Sequence, residues 1–343
     1  MRQEELEEKV REIFEQQGFH VEMEENSFTA EKEDSEPGGM IFSSENFGEQ
    51  EVLNSNASIV FMDEGFEHLK DRIDAEVSII REEKDEEEYD LPSYELIGDI
   101  AVINEINDRD EEEVVEGILN YNPSVKTVLV KEDSLSGEFR VGDYRKLYGE
   151  ETETVHKEFG CRFKVDPTKV YFSERFSTER NRVISQIESG EKVLVMFAGV
   201  GPFGIMAARN AEPERVVMVE KNPVAAEFMK ENVELNDVEN IVDCFEGDVA
   251  EVLPELNQKF DRIIMPLPEK AAEFLDLAVE NLAEGGIVHY YRFIEDENWE
   301  EIESEVERIF SDREIGFEVI DRTFCGDRGP SVSRVCLDIQ NRL

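Results

Sequence analysis

Cysteine is scarce in this chain. The four present, at 161, 244, 325 and 336, show no CxxC or metal-type spacing. The pattern gives no disulfide framework and no thiolate metal site, and reduced intracellular thiols are expected. Histidine is equally sparse, and His20, His68, His156 and His289 are too scattered to suggest a zinc site, so no metal is expected. No apolar run is long enough to span a bilayer; the longest, around Val193–Gly204, is short and broken by glycine and proline. The N-terminus, MRQEELEEKV, lacks the basic region and apolar core of a secretory signal. A cytoplasmic protein without a membrane partner is expected. Basic residues are outnumbered, with 36 Lys and Arg against 84 Asp and Glu for a formal charge of −48.

The acids are dispersed through segments that remain 40% hydrophobic. A disordered acidic tail concentrates its charge in blocks poor in apolar residues. Dispersal predicts an acidic surface over ordinary cores, as in a halophilic organism with a cytoplasm of very high salt, with a plain acidic protein as the alternative. At about 1 M salt the Debye length is roughly 3 Å, so self-repulsion is screened.

A length of 343 residues predicts two or three domains. Residues 1–80 read as a small α/β domain, with a helix from Glu4 to Gln17, Gly18 as its C-cap, and strands FHVEME and ASIVFM. The acid run within 81–92 reads as a linker. Residues 93–160 read as an α+β domain, with strands ELIGDIAVINEI and KTVLVKE around a helix near Glu111–Leu119. Residues 161–343 alternate strands (VLVMF, VVMVE, IVDCF, RIIM, IVHYY) with helical stretches. Such alternation implies a doubly wound, mostly parallel sheet. The segments FEVIDRTF and SRVCLDI, joined by CGDRGPSV, predict a C-terminal antiparallel hairpin. A parallel sheet closed in this way is the class I methyltransferase fold.

The most informative stretch is VLVMFAGVGPFG at 193–204, followed by VVMVEKNPVAAEFMKENVELN. An apolar strand enters a Gly-rich turn, and a second strand ends in Glu220. This is the layout of a nucleoside-binding site at the carboxyl ends of the first two strands. Gly199 and Gly201 let backbone approach the ligand, and Glu220 is placed to accept from ribose hydroxyls. Asn222 before Pro223 fits an N-cap followed by N1, with cofactor contact as a second role. Phe228 and Val233 supply the apolar face, and Asn236 can close that helix. Asp248 follows the third strand and suits an adenine amino group, because a carboxylate only accepts hydrogen bonds; it also suits a helix cap. Pro266-Leu267-Pro268 follows the fourth strand at the same ligand-binding edge. Glu174, Arg175, Glu179 and Arg180, read by spacing alone, form a solvated helix face.

The segments GEFR near Arg140, VYFSERFSTER, MFAGVGPF, EKNPVAAEFMKENVELN, MPLPEKAAEFLD and EGGIVHYY together resemble the archaeal and eukaryotic tRNA (guanine-37-N1)-methyltransferases. The resemblance runs from about Tyr89 to the C-terminus. It implies S-adenosyl-L-methionine as cofactor, the anticodon loop of tRNA as partner, RNA contact by residues 93–160, and a monomer. It implies Glu179 as the general base that removes the guanine N1 proton, and Arg140 as the cation that stabilises O6. Tyr171, Arg175 and Pro266 then lie at the target base. Phe197, Gly199, Gly201, Glu220, Asn222 and Asp248 lie at the cofactor. The family usually has Asp where this chain has Val195, and Asn where it has Pro266. Proline lacks the donors of an Asn side chain, so the O6 contact falls to Arg140 and backbone groups, or activity is altered. Two other readings are an aminocarboxypropyl transferase acting on a wybutosine precursor in tRNA, and a catalytically decayed tRNA-binding protein.

Guanine N1 carries a proton at neutral pH, so a positioned carboxylate is useful there, worth about 10²–10⁴-fold as a general base. Charge released to O6 is stabilised by a guanidinium. Residues 140–182 also carry Arg145, Lys146, Arg162, Lys164, Lys169, Arg180 and Arg182, so that stretch comes close to neutral in a strongly anionic chain. A local cationic path for RNA is expected there. In molar salt counterion release contributes little, which leaves shape, stacking and hydrogen bonds to loop bases.

Overall fold

A computed structural model describes residues 19–24, 27–32, 40–43, 89–132, 142–295, 298–329 and 331–342. The expected helix at 4–17, the strand ASIVFM, most of the linker and Arg140 lie outside the described residues. The chain divides into two compact units, one of residues 1–92 with 107–125 and one of 93–106 with 126–343. Among the described residues no helix is long and apolar enough to cross a membrane.

In the first unit, β1 (Phe19–Glu24), β2 (Ser27–Lys32) and β3 (Met40–Ser43) form an antiparallel sheet in that order. The strand expected at FHVEME is β1. The Glu111–Tyr121 helix also forms as expected. Asp110 caps it, accepting from the amides of Glu112 at 2.9 Å and Glu113 at 3.1 Å. Gly117 lets Tyr89 and Leu91 approach that helix, where a Cβ would stand 2.6 Å from the Tyr89 ring.

In the second unit, β4 (Tyr94–Ile97), β5 (Ile100–Ile103), β6 (Thr127–Lys131) and β7 (Tyr144–Tyr148) form a four-stranded sheet in chain order. The run ELIGDIAVINEI, read as one strand, is two. Gly98 at φ +58° takes the first position of a two-residue turn, where a type II′ hairpin wants glycine. A further hairpin, β8 (Thr154–Glu158) with β9 (Cys161–Val165), turns through Phe159 and Gly160, both at positive φ. It straddles the domain boundary expected at 160/161.

The main sheet holds β10 (Lys192–Met196), β11 (Arg215–Glu220), β12 (Val242–Glu246), β13 (Phe260–Met265), β14 (Leu282–Glu295), β15 (Gly316–Gly329) and β16 (Val332–Arg342). Their order is β12-β11-β10-β13-β14-β16-β15. The first five run parallel, β16 runs against them, and β15, antiparallel to β16, shares their direction again. This is the class I methyltransferase fold expected from the alternation. The hairpin strands run through most of the expected connection CGDRGPSV, with register shifts between Phe324 and Gly329 absorbing the glycines.

Alternation along each strand divides two apolar layers. Val193, Val195, Met218, Ile264, Tyr291 and Cys336 face one cluster, while Leu194, Met196, Val217, Met265, Tyr290 and Leu337 face the other. The first cluster is continuous from Ile97 and Leu129 of the small sheet, through Phe163 and Phe172, to Met206. Val195, where the resembling family has Asp, is fully buried in it between Met218 and Ile264.

Candidate functional site

The turn after β10 contains three left-handed residues, Phe197 at φ +58°, Gly199 at +59° and Gly201 at +92°. Glycine takes this conformation at no steric cost, whereas Phe197 stores about 1–3 kcal/mol of strain. Its ring packs edge-on against Phe274, with centroids 5.1 Å apart. Gly201 is the N-cap of the Pro202–Asn210 helix, with Pro202 in the first turn. Gly204 in that helix meets β11 directly, since a Cβ there would stand 2.3 Å from Met218 Sδ.

Glu220 ends β11 and ties the turn down. One carboxylate oxygen accepts from the Gly199 amide and the other from the Asn222 amide, each at 2.7 Å. With the Lys221 amide also donating, about one of its four lone-pair positions is left for a further donor such as a ribose hydroxyl. Burial raises the Glu220 carboxyl above its ordinary value, against the pull of the Asn222, Gly199 and Lys221 amides. Asn222 caps the Pro223–Leu235 helix, accepting from Val224 N at 3.0 Å, and Asn236 is its C-cap. Asp248 caps the Val249–Leu256 helix through Ala250 N at 2.9 Å and pairs with Lys221 at 3.1 Å. The Ala250 amide, then Lys221, hold its carboxyl below the usual range.

These groups open onto one cavity. Tyr171, Phe197, Gly199, Glu220, Asn222, Asp248 and Pro266 all line it, with Lys221, Leu267, Lys270 and Phe274 among the other walls. The Glu220 and Asp248 carboxylates, the Phe197 and Phe274 rings and exposed turn backbone suit an adenosyl group: hydroxyls and an amino group for the acids, a flat ring for the aromatics. A Cβ on Gly199 would meet nothing within 4 Å, so this part of the turn faces open space. Gly201 does not line the cavity and acts by starting the helix. Arg175 and Glu179 do not line it either.

Arg175 is half exposed and pairs with buried Glu95 at 2.9 Å, which also accepts from Ser173 Oγ at 3.0 Å. The solvated helix face is corrected for Glu179 and Arg180, which are 6% and 3% exposed. Arg180 turns inward to Glu158, with its Nε at 2.7 Å. The cationic path is correspondingly reduced. Arg145 pairs with Glu132, Lys164 with Glu153 and Glu231, Lys169 with Asp166, and Arg180 is buried.

Glu179 stands at one end of a string of buried and partly buried polar side chains. Arg182 grips it with Nε at 2.7 Å and Nη2 at 2.8 Å, and the Tyr291 hydroxyl donates to its Oε1. Arg182 Nη1 also donates to Asp338 at 2.6 Å. His289 Nδ1 lies 2.7 Å from Asp338, and Arg262 Nη1 lies 2.8 Å from His289 Nε2. Arg262 is in turn held by Glu191 at 2.7 and 2.8 Å. A guanidinium only donates, so His289 Nε2 must accept and its proton sits on Nδ1, donated to Asp338. Burial depresses the His289 pKa and keeps the ring neutral. Burial alone would raise the Asp338 carboxyl, but His289 and Arg182 outweigh it and hold it far below the ordinary range. His289, Cys336 and Asp338 bring possible metal ligands within 4.8 Å of one another. Nε2 of His289 is taken by Arg262, and Asp338 already serves His289 and Arg182. Apart from Glu179 and Arg182, sequence reasoning missed this string; the only signal was charged residues inside otherwise apolar strands.

The TRM5/TYW2 methyltransferase domain model matches residues 154–320, and the TYW2 N-terminal domain model matches 77–152. The chain is 42% identical over 205 residues to tRNA (guanine(37)-N(1))-methyltransferase Trm5b of Pyrococcus abyssi, covering 59% of this chain and 60% of that protein. The crystal structure of P. abyssi Trm5b matches with a TM-score of 0.68 at 28% identity, over 100% of this chain and 98% of that one. The chain is 34% identical over 230 residues to a tRNA(Phe) (4-demethylwyosine(37)-C(7)) aminocarboxypropyltransferase of Methanocaldococcus jannaschii, covering 66% of this chain and 88% of that protein. The structure of M. jannaschii TYW2 in complex with AdoMet matches with a TM-score of 0.57 at 28% identity, over 73% of this chain and 99% of that one.

Proposed function

The chain belongs to the TRM5/TYW2 methyltransferase family, and we propose that it transfers the methyl group of S-adenosyl-L-methionine to N1 of guanosine 37 in tRNA. The observation that supports methyl over aminocarboxypropyl transfer is the extent of the match. The P. abyssi Trm5b structure corresponds to 100% of this chain, the M. jannaschii TYW2 structure to 73%.

The bound cofactor supplies an electrophilic methyl on a sulfonium. This chain's residues supply placement and proton handling. Glu220 and Asp248 would accept from the ribose and adenine, and the Phe197–Phe274 pair would supply an apolar wall for the ring. Tyr171 and Pro266 bound the side of the cavity where the target base enters. Glu179 takes the N1 proton, and Arg140 compensates the charge that moves to O6. Pro266 has no donor of its own, so no side-chain amide competes with Arg140 for that oxygen.

The test uses labelled cofactor in molar KCl with tRNA transcripts carrying G or A at position 37. Transfer confined to the G37 transcript supports the reading, and transfer that ignores the substitution sinks it. Glu179→Gln keeps shape and one acceptor but cannot take the proton. Its single-turnover rate should fall by at least ~10², with cofactor and tRNA affinity nearly unchanged. A near-normal rate at neutral pH removes Glu179 from the mechanism.

A second reading, aminocarboxypropyl transfer to a modified base at the same position, is favoured by the match of residues 77–152 to the TYW2 N-terminal domain. It predicts no product on unmodified transcripts and a larger added group on a wybutosine precursor.

A further inference from the structure

Tyr291 joins two parts of the molecule that the proposed reaction needs to keep in register. It lies on β14 and is fully buried. Its hydroxyl donates to Glu179 Oε1. Its ring lies 6.2 Å from that of Phe203, at 60°. Phe203 is the second residue of the Pro202–Asn210 helix, directly after the turn that lines the cavity. One side chain therefore touches both the carboxylate and the helix that carries the cofactor turn.

The acceptor count at Glu179 sharpens this. An ionised carboxylate offers about four lone-pair positions. Oε1 is filled by the Tyr291 hydroxyl and Arg182 Nη2, and Oε2 receives Arg182 Nε. The fourth position is met by the Cys325 thiol, the weakest donor of the four and the one a substrate N–H displaces most easily. Arg182 is held by Asp338 at 2.6 Å and Asp321 at 3.4 Å, so it cannot swing away without abandoning them. Cys336 on β16 is the remaining titratable neighbour, and burial raises it, like Cys325, well above the ordinary thiol range, keeping both neutral. Burial does the same to the Tyr291 phenol, which stays a donor.

We propose that Tyr291 is a positioning residue: with Arg182 it fixes Glu179 so that the acceptor position met only by the weak Cys325 thiol is the one yielded to the substrate proton, and through Phe203 it holds that carboxylate in register with the cofactor turn. The proposal rests on the reading of Glu179 as general base. A tyrosine that only filled space would serve as well without its hydroxyl.

The experiment compares wild type, Tyr291→Phe, Glu179→Gln and the double variant in single turnovers with saturating cofactor and G37 tRNA in molar KCl, across a pH series. Tyr291→Phe keeps the buried ring, and thermal melting verifies the fold. It should slow transfer ~10–100-fold, leave both affinities within about twofold, and move the rise of rate with pH upward, since losing a donor disfavours the carboxylate. The double variant should be no slower than Glu179→Gln, because the two act as one unit. A slow Glu179→Gln beside a Tyr291→Phe of normal rate overturns the positioning role and leaves the base intact. A uniform slowing with an unmoved pH profile also overturns it, reducing Tyr291 to packing. A near-normal Glu179→Gln fails the underlying reading instead.

Discussion

Glu220 and Glu179 are both carboxylates packed against the same sheet, yet they are held in different ways. Glu220 is held by backbone amides of Gly199 and Asn222, which belong to turns adjoining its own strand and the neighbouring one. Glu179 is held by side chains, Arg182 three residues away and Tyr291 from 112 residues further along. Amides come with the turn and need no second residue choice. A side-chain clamp needs its own partners, and those need theirs, which is why the string runs on through Asp338, His289 and Arg262 to Glu191. The cavity therefore keeps acceptors for a ligand, while the string beyond Glu179 spends its hydrogen bonds on its own members.

The largest expected effect comes from cutting the string at its centre. Asp338→Ala leaves the His289 Nδ1–H and one arm of Arg182 without an acceptor in the interior. Breaking a buried charged pair from one side costs about 3–5 kcal/mol. Urea unfolding in molar KCl measures this, and a loss under ~1 kcal/mol would mean water or rearrangement replaces Asp338 easily. Glu220→Ala should behave in the opposite way. The amides of Gly199 and Asn222 border the cavity and can turn to water, so stability changes little. Cofactor affinity by calorimetry should fall ~10–100-fold, as expected for losing charge-assisted hydrogen bonds worth about 1.5–3 kcal/mol. Unaltered affinity would separate Glu220 from the cofactor.

A smaller effect follows from pH. His289 is neutral in the fold, with its pKa held below the ordinary 6.5 by burial. The unfolded chain takes up a proton near ~6.5 and the folded chain does not. Its contribution is therefore present above that pH and is lost on acidification, by up to ~1.4 kcal/mol per pH unit. His289→Gln should flatten the slope between about pH 6.5 and 5, before the carboxylates dominate. A slope unchanged in the variant would assign it to other groups.

The same contrast explains what the sequence revealed. The cavity could be read because its signals are local: an apolar run into AGVGP, an acid at the end of the next strand, and Asn-Pro at a helix start. Glu220, Asn222 and Asp248 all line it, and both predicted caps are formed. The parallel sheet and its hairpin follow from periodicity in the same way. The string could not be read, because nothing near Arg262 or His289 says that they will face each other across paired strands. Spacing suggested that Glu179 and Arg180 were solvated, whereas tertiary packing buried both. The turn at Gly98 was lost inside an apolar run that looked like one strand. Gly204 carried no visible signal either, since only the packed Met218 sulfur shows why a Cβ fails there.

The most direct test of the account is nucleoside mass analysis of unmodified G37 tRNA after incubation with the protein and S-adenosyl-L-methionine in molar KCl. The account predicts a single methyl on N1 of guanosine 37. An unmodified guanosine there, with an aminocarboxypropyl group appearing only when a wybutosine precursor is supplied, would contradict it.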